Sequence, residues 1–150
     1  NAEYHMTSSD ARENVWLNSL PQGANAIIVM EGVGMYMQVG ELQALLKNLC
    51  GYFTQVKVLL DCYTTFAAKA TKYKNPINEV GVTTVYGMDD AKELEHGTGL
   101  VFLKEHELTP NSLIEELNGM ERVFFRKVFA GKFAKKIYRL YEYKASGENL

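Results

Sequence analysis

Cysteine and proline are both scarce in this chain, whose 150 residues include two cysteines and three prolines. Cys50 and Cys62 stand alone in apolar surroundings, which excludes the cysteine framework of small secreted domains and the closely spaced cysteines of zinc sites. We expect both to be buried thiols in a reducing compartment. Because no apolar run is long enough to cross a membrane and no signal peptide is visible, the sequence predicts a soluble, cytoplasmic protein without a membrane partner.

The chain also lacks an excess of positive charge. Its formal net charge of -2 argues against a general nucleic-acid binder, because such proteins are basic. The one basic stretch runs from Arg122 to Lys136 and is interleaved with phenylalanines. Aromatic and cationic side chains together can bind single-stranded nucleic acid, but the near-helical spacing favours a packed aromatic face and a solvated basic face. The phenylalanines are Phe124, Phe125, Phe129 and Phe133.

Several motifs of cofactor binding and catalysis are missing as well. The sequence has no glycine-rich dinucleotide loop, no phosphate-binding P-loop and no Gly-x-Ser-x-Gly nucleophile elbow. His5, His96 and His106 are far apart and without metal-ligand spacing, so no metal site is predicted. Each histidine is expected to pack or face solvent, although His106, at a predicted strand end, is the best placed as a general base.

What the chain does contain is the pattern of an α/β fold. Hydrophobic residues make up 47% of the sequence, enough for the core of one domain over residues 1–150. The continuous apolar run "AIIVM" predicts a strand buried on both faces, as in a parallel sheet. The stretch "GELQALLKNLCGYF" has leucines at helical spacing, and "QVKVLLDCY" predicts a second buried strand that ends at Asp61. This β-α-β order argues for an α/β class.

The second half adds two more predicted strands. "LVFLKEHEL" is the third strand, and the alternating, aromatic-rich "KKIYRLYEYK" predicts a last strand that is half-exposed or at an edge. Asp89 and Asp90 should begin one short helix, while Thr109 as N-cap and Pro110 in the first position should begin another that closes at Gly119. The prediction is therefore about four strands and four or five helices.

Acidic residues stand at the predicted ends of the first two strands. Ligands of open α/β sheets bind beyond the carboxyl ends of the strands, so Glu31 could hold a cationic ligand group, and Gly32 would permit a sharp turn or a close approach. Position alone slightly favours a simpler role for Glu31, in which it caps the next helix or faces solvent. Asp61 is more strongly predicted to cap the helix that follows it. Asp10, in "SSDAREN", has the context of a turn or N-cap residue.

The order of several segments is nevertheless informative. "SSDARENVWLNSLP", "IIVMEGVGMYM" and "VKVLLDCY", followed by "YGMDDAKELE" and "YRLYEYK", together span nearly the whole chain. This series resembles the C-terminal half of the leucine carboxyl methyltransferase superfamily, and more closely the tetracenomycin-type polyketide O-methyltransferases. The Glu-Gly…Met-Tyr element is its most specific part.

The resemblance implies a class I methyltransferase fold that uses S-adenosylmethionine, with about four strands of which the last is antiparallel. By matching position, Asp10 and Ala11 would lie against the adenine of the cofactor. Glu31 and Gly32 would lie at its amino-acid or sulfonium end, where a carboxylate complements the positive charge. Tyr36 would line the pocket of a small-molecule methyl acceptor, to which Asp61 and His106 are also assigned. No metal is required, because methyl transfer depends mainly on positioning.

The chain departs from the family in one major respect, since the glycine-rich cofactor loop and the ribose-binding acid of the N-terminal half are absent. We expect a C-terminal fragment, beginning at Asn1 rather than at methionine, whose four strands are the fourth to seventh of the full sheet. Its first strand would be an open edge for the missing half or for a second copy, and cofactor binding would be weak or absent. The alternatives are a non-catalytic binding or dimerisation module derived from this fold and, with less support, an unrelated flavodoxin-like or Rossmann-like fragment.

Overall fold

The four predicted strands form one mixed sheet in the computed structural model, which describes residues 4–71, 84–107, 109–128 and 134–145. The strands are β1 (Asn25–Met30), β2 (Gln55–Tyr63), β3 (Leu100–His106) and β4 (Tyr138–Ala145). Their order across the sheet is β1-β2-β4-β3, with β2 parallel to β1 and β4 antiparallel to both of its neighbours. The predicted α/β class, with four strands and an antiparallel last strand, is therefore confirmed.

Helices and shorter helical turns connect these strands. The α-helices are α1 (Val39–Tyr52), α2 (Thr65–Ala70), α3 (Asn111–Glu115) and α4 (Gly119–Val128). The described 3-10 helices span Asn14–Ser19, Gly34–Tyr36, Ala91–Glu95 and Ala134–Lys136. Helix α1 returns the chain from the end of β1 to the start of β2, as a crossover between parallel strands must.

The core lies on one face of the sheet, beneath α1. The apolar face of this helix is fully buried and consists of Leu42, Leu45, Leu46 and Leu49. It shares one hydrophobic cluster with the inward residues of the strands, among them Val58, Leu60 and Tyr143. The leucine spacing in the sequence predicted this helix, and burial of its leucines is what holds it against the sheet.

The opposite face of β1 is largely open, contrary to the prediction of a strand buried on both sides. Ile27 is 79% exposed and Val29 is 64% exposed, while Met30, which points to the core, is 7% exposed. Among the described residues, no strand pairs with the outer edge of β1 either. A continuous apolar run shows that both faces are suited to burial, but it does not show that this chain covers both of them.

Four local predictions also require correction. Of the two alternatives predicted for β4, the edge position is wrong, because the strand lies between β2 and β3, although most of its residues are only partly buried as the other alternative expected. Strand β2 does not end at Asp61 but continues to Tyr63, because its last residues pair with the start of β4. Helix α3 has Pro110, not Thr109, at its N-cap position, and Gly119 begins α4 rather than closing α3.

The phenylalanines of α4 do not form the packed face that their spacing predicted. Phe124 is 57% exposed and Phe125 is 37% exposed. Phe129 and Phe133 lie outside the described residues. Near-helical spacing of aromatic residues predicts a packed face, but it does not show what the rings of Phe124 and Phe125 contact.

Both cysteines are free thiols in apolar surroundings. Cys62 is buried, and Cys50 is half-buried. Burial raises the pKa of Cys62 to about 12 and that of Cys50 to about 11. Within the described part of the chain, no helix combines the length and apolar character needed to span a membrane.

Candidate functional site

The candidate site lies where β1 and β2 end on the same edge of the sheet. Glu31 and Gly32 follow β1 directly, and Asp61 lies two residues before the end of β2. Since the two strands are parallel, their carboxyl ends meet at one edge, which is where open α/β sheets bind ligands. The structure therefore brings together three of the residues predicted for the site.

A pair of hydrogen bonds joins Asp61 to Gly32. The amide N–H of Gly32 donates to both carboxylate oxygens of Asp61, at 2.9 Å each. Gly32 has a φ of +66°, a left-handed conformation that other residues adopt only at a cost. Asp61 is only 4% exposed, so its charge depends on these bonds for compensation. It does not cap α2 as predicted, because the side chain of Thr64 does so by accepting from the Ala67 N–H.

Tyr138, at the start of β4, completes the surroundings of Asp61. Its hydroxyl donates to the Asp61 carboxylate. Burial, this hydrogen bond and the nearby negative charges of Asp61 and Glu31 all raise the pKa of Tyr138. The ring packs edge-on against Tyr63, with the two ring centroids 5.5 Å apart. Tyr138 is thus a neutral hydrogen-bond donor that covers the buried acid.

Above this buried layer, Glu31 presents an exposed carboxylate. Tyr36, which ends the short 3-10 helix after Glu31, is 41% exposed. The neighbouring Tyr63 is half-buried, and its pKa is raised by burial and by the proximity of Tyr36 and Asp61. A carboxylate with phenol rings nearby can hold a cationic group through charge and through the aromatic faces.

Asp10 and Ala11 lie in the segment before the first 3-10 helix. Arg12 donates to both oxygens of Asp10, at 2.6 Å for the shortest bond, and this hydrogen bonding lowers the pKa of Asp10 to about 2. The same guanidinium lies 3.7 Å from Glu41, in the first turn of α1. Ala11 packs against the core, and its carbonyl accepts from the indole N–H of Trp16 at 3.4 Å. Asp10 is therefore linked to the N-terminal end of α1, which follows the Glu31 turn.

His106 lies on the same face of the sheet but apart from Asp61. Both residues pair with Leu140 across β4, which places them two strands apart, about 10 Å. His106 Nε2 is 2.7 Å from Glu142 Oε2, and this hydrogen bond is the largest cause of the lowered pKa of Glu142. Lys104 lies 3.6 Å from the same oxygen. His106 is therefore paired with Glu142, and the structure does not bring it next to Glu31.

A separate cleft of about 310 Å³ lies beside the start of α2. Arg139 in its wall is held by Glu105 at 2.8 Å, and Asp89 accepts from the backbone N–H of Thr65 at 2.9 Å. Asp89 was predicted to begin the short helix that follows it, but it instead contacts the start of α2. Asp90 does cap that short helix, the 3-10 helix Ala91–Glu95, by accepting from the Lys92 N–H. The cleft is lined by Thr64, Thr65, Phe66, Asp89, Lys136 and Arg139.

Sequence reasoning missed Tyr63 and Tyr138. Both belong to strands whose apolar and aromatic pattern was recognised, but the contact between Tyr138 and Asp61 joins positions 77 residues apart. The alternation in "KKIYRLYEYK" indicated which residues of the strand share a face, but not that this face includes Asp61. Among the described residues, no group of three or more histidine, cysteine or acidic side chains is placed to hold a metal ion.

Glu31 is exposed at the carboxyl edge of the sheet, which is the edge where open α/β sheets bind ligands. No family model matches the chain. In sequence, it is 20% identical over 120 residues to the tetracenomycin polyketide synthesis O-methyltransferase TcmP of Streptomyces glaucescens, an alignment that covers 79% of this chain and 44% of that protein. The predicted resemblance to tetracenomycin-type O-methyltransferases is therefore confirmed.

A solved structure is also similar to this chain. It is magnesium protoporphyrin IX methyltransferase (ChlM) from Synechocystis PCC 6803 with bound SAH, at a TM-score of 0.48 and 14% identity. The match covers 87% of this chain and 48% of that protein. The chain thus spans less than half the length of either of these two proteins.

Proposed function

We propose that this chain is the C-terminal part of an S-adenosylmethionine-dependent O-methyltransferase that acts on a small molecule. The observation that carries the proposal is the exposed carboxylate of Glu31 at the carboxyl edge of β1, beside a turn anchored on Asp61. It occurs in a chain that resembles a polyketide O-methyltransferase in sequence. The cofactor carries a sulfonium and an ammonium group, both of which a carboxylate at this position complements.

The residues at the edge suit such a cofactor. Glu31 would hold the cationic end, and Gly32, without a side chain, leaves room beside it: a Cβ there would meet nothing within 4 Å. Asp10 and Ala11 would contact the adenine. The Asp10 oxygens already accept four hydrogen bonds from the backbone and side chain of Arg12, which fill the roughly four acceptor positions of a carboxylate, so a donor on the adenine would have to displace part of this pairing.

When bound, the cofactor supplies an electrophilic methyl group for an acceptor oxygen. The contribution of the chain is to orient the two reactants and exclude water, which accounts for a large part of catalysis in a displacement reaction. Tyr36 would line the acceptor side of Glu31, with Asp61 beneath it. A carboxylate acceptor needs no base. A hydroxyl acceptor does, and the candidate base is His106, which would have to reach the acceptor across the face of the sheet, because it lies two strands from Asp61 and is bonded to Glu142.

The domain boundaries are part of the proposal. We propose that residues 1–150 are a portion of a longer methyltransferase domain, whose other half would continue the sheet at the open edge of β1. The open edge and the exposure of Ile27 and Val29 support this, as does the coverage of less than half of TcmP. A glycine-rich strand-loop-helix encoded upstream of Asn1 in the same reading frame would support the proposal, and a start codon near Asn1 would count against it.

The cofactor site can be tested by titrating the ¹⁵N-labelled chain with S-adenosylhomocysteine. We expect millimolar binding with amide shifts concentrated at Glu31, Gly32 and Tyr36, because half of the site lies outside the chain. Glu31→Gln should weaken the binding and so reduce these shifts at a given ligand concentration, whereas the matched control Glu121→Gln, an exposed acid on α4, should leave them unchanged. Shifts that appear elsewhere in the chain and not at these edge residues would overturn the cofactor site, and submicromolar affinity would overturn the half-site proposal.

A second candidate function is a non-catalytic binding or dimerisation module derived from this fold. The open edge of β1 favours it, because a second copy could add its own β1 there. Sedimentation analysis separates the cases: a dimer that Val29→Lys dissociates supports the module, since Val29 is 64% exposed and its replacement should not unfold the monomer. A matched Val101→Lys variant, on the outer strand β3, should leave such a dimer intact.

A further inference from the structure

Asp61 is a buried carboxylate that the proposed reaction does not use directly. At 4% exposure, it is among the least accessible charged groups of the described residues. Its partners are the Gly32 N–H, shared between its two oxygens at 2.9 Å, and the hydroxyl of Tyr138. Burying an unpaired carboxylate is costly, so these hydrogen-bond donors are what allow Asp61 to be buried.

These donors come from two segments that are distant in sequence. Gly32 belongs to the turn after β1, and Tyr138 is the first residue of β4. The main chain of Asp61 also contacts the turn, since a Cβ at Gly34 would lie 2.9 Å from the Asp61 carbonyl oxygen. Asp61 therefore touches the turn at two points on either side of Val33.

The turn that Asp61 holds is the one that carries Glu31. The backbone of Gly32 adopts a left-handed conformation. Because glycine has many accessible backbone conformations, this one is held only if the Gly32 amide is fixed. Fixing the Gly32 N–H therefore restricts the backbone immediately after Glu31. Asp61 cannot easily contact a ligand itself, because Tyr138 and the turn cover it.

We propose that Asp61 is a positioning residue: it fixes the Gly32 amide and thereby holds the exposed Glu31 carboxylate in place for the cationic group of a ligand. Tyr138 assists by orienting the Asp61 carboxylate from the opposite side. The ligand part of this inference depends on the proposed function. The fixing of the turn does not, and it can be measured in the chain without ligand.

The first test is amide hydrogen exchange at Gly32, measured by NMR. Loss of a hydrogen bond to a charged group should speed exchange of Gly32 in Asp61→Ala by about 10- to 100-fold relative to a core amide such as Leu46. Asp61→Asn keeps one acceptor oxygen and should restore most of the protection. As a control, Asp90→Ala removes a carboxylate that accepts from Lys92 elsewhere and should not change Gly32.

The outcomes of the exchange test are decisive. Selective loss of Gly32 protection in Asp61→Ala, with rescue in Asp61→Asn, supports the fixing of the turn. Unchanged Gly32 exchange, or a rise no larger than that of Leu46, overturns it, because the aspartate would then stabilise the fold only in general. If Asp61→Ala does not fold, Tyr138→Phe serves instead: it removes the second donor and should raise Gly32 exchange by a smaller factor.

The second test is a double-mutant cycle on S-adenosylhomocysteine affinity. If Asp61 acts through Glu31, Asp61→Ala should weaken binding about 10-fold in the wild-type chain and by much less in Glu31→Gln. Equal effects in both backgrounds would overturn the positioning role while the proposed function stands. If the wild-type chain binds no cofactor, as a half-site allows, the exchange result alone decides whether Asp61 fixes the turn.

Discussion

Gly34 packs directly against the carbonyl group of Asp61, so that a Cβ atom at position 34 would lie 2.9 Å from that oxygen. This close approach lets the 3-10 helix after Glu31 lie against β2. Because the obstacle is backbone rather than a flexible side chain, the structure cannot relax without moving the turn or the strand. We expect Gly34→Ala to lower the free energy of unfolding by about 1–3 kcal/mol, measured by urea denaturation.

Gly51 provides the matched control for that substitution. It lies in α1, where a Cβ would meet nothing within 4 Å. Gly51→Ala should therefore raise the free energy of unfolding by about 0.5–1 kcal/mol, because alanine loses less backbone freedom on folding. Equal destabilisation by the two substitutions would contradict the close packing of Gly34.

The hydroxyl of Tyr143 provides a second stability prediction. Tyr143 is fully buried, and its hydroxyl donates to the Ala91 carbonyl at 2.8 Å. Tyr143→Phe would leave that carbonyl without its partner, so the free energy of unfolding should fall by about 1–3 kcal/mol. Tyr52→Phe removes a comparable bond, to the Leu20 carbonyl, at the surface, where water can replace the donor. If both variants lost the same stability in denaturant titrations, burial would not explain the effect.

The thiol of Cys62 should be protected from chemical modification. Burial, followed by the nearby charge of Asp61, raises its pKa from 9.0 to about 12, which lowers the thiolate fraction on the order of a thousandfold at pH 8. A chromogenic disulfide reagent should therefore modify Cys62 slowly in the native chain and rapidly in guanidinium chloride, measured in a Cys50→Ala background. Rapid modification of the native chain would show that the site is open to solvent.

The same shift predicts a loss of stability at high pH. A group whose folded pKa lies above its unfolded value contributes stability that is fully present below the unfolded pKa and is lost as the pH rises through the folded pKa. For Cys62 that window runs from about pH 9 to about pH 12. Denaturation midpoints of wild type and Cys62→Ala should therefore converge or cross as the pH is raised from 8 to 11, and parallel curves would contradict the burial of the thiol.

The pair of His106 and Glu142 predicts an effect at acid pH. Hydrogen bonding to His106 is the main cause of the lowered pKa of Glu142, whose ordinary value is 4.5. A lowered carboxyl pKa contributes stability above the unfolded pKa, and this contribution is lost as the pH falls through the folded value. The stability difference between wild type and Glu142→Gln should therefore be present at pH 6 and shrink below pH 4.5. A difference that stayed constant over this range would show that the pair does not couple to folding.

Local sequence patterns predicted most of the secondary structure of this chain. The leucine spacing of α1 and the apolar runs of β1 and β2 are properties of neighbouring residues, so they could be recognised without the fold. The position of Glu31 at a strand end followed from the same patterns. Its suggested role came from the ordered resemblance of several segments to O-methyltransferases.

Relationships between distant segments could not be obtained in this way. An apolar run such as "AIIVM" can be covered on one face or on both, depending on which elements pack against it. The exposure of Ile27 and Val29 therefore became visible only in the fold. For the same reason, the alternation in β4 could not show that the strand lies between β2 and β3.

Asp61 shows this division most clearly. The sequence by itself determined that an acid follows an apolar run, and capping of the next helix was the local role that best fitted it. Only the tertiary structure decided that Thr64 caps the helix and that Asp61 instead meets Gly32 and Tyr138, 29 and 77 residues away. The physical reason is that a buried carboxylate is compensated by whichever donors the sheet brings to it, and strand order determines which donors those are.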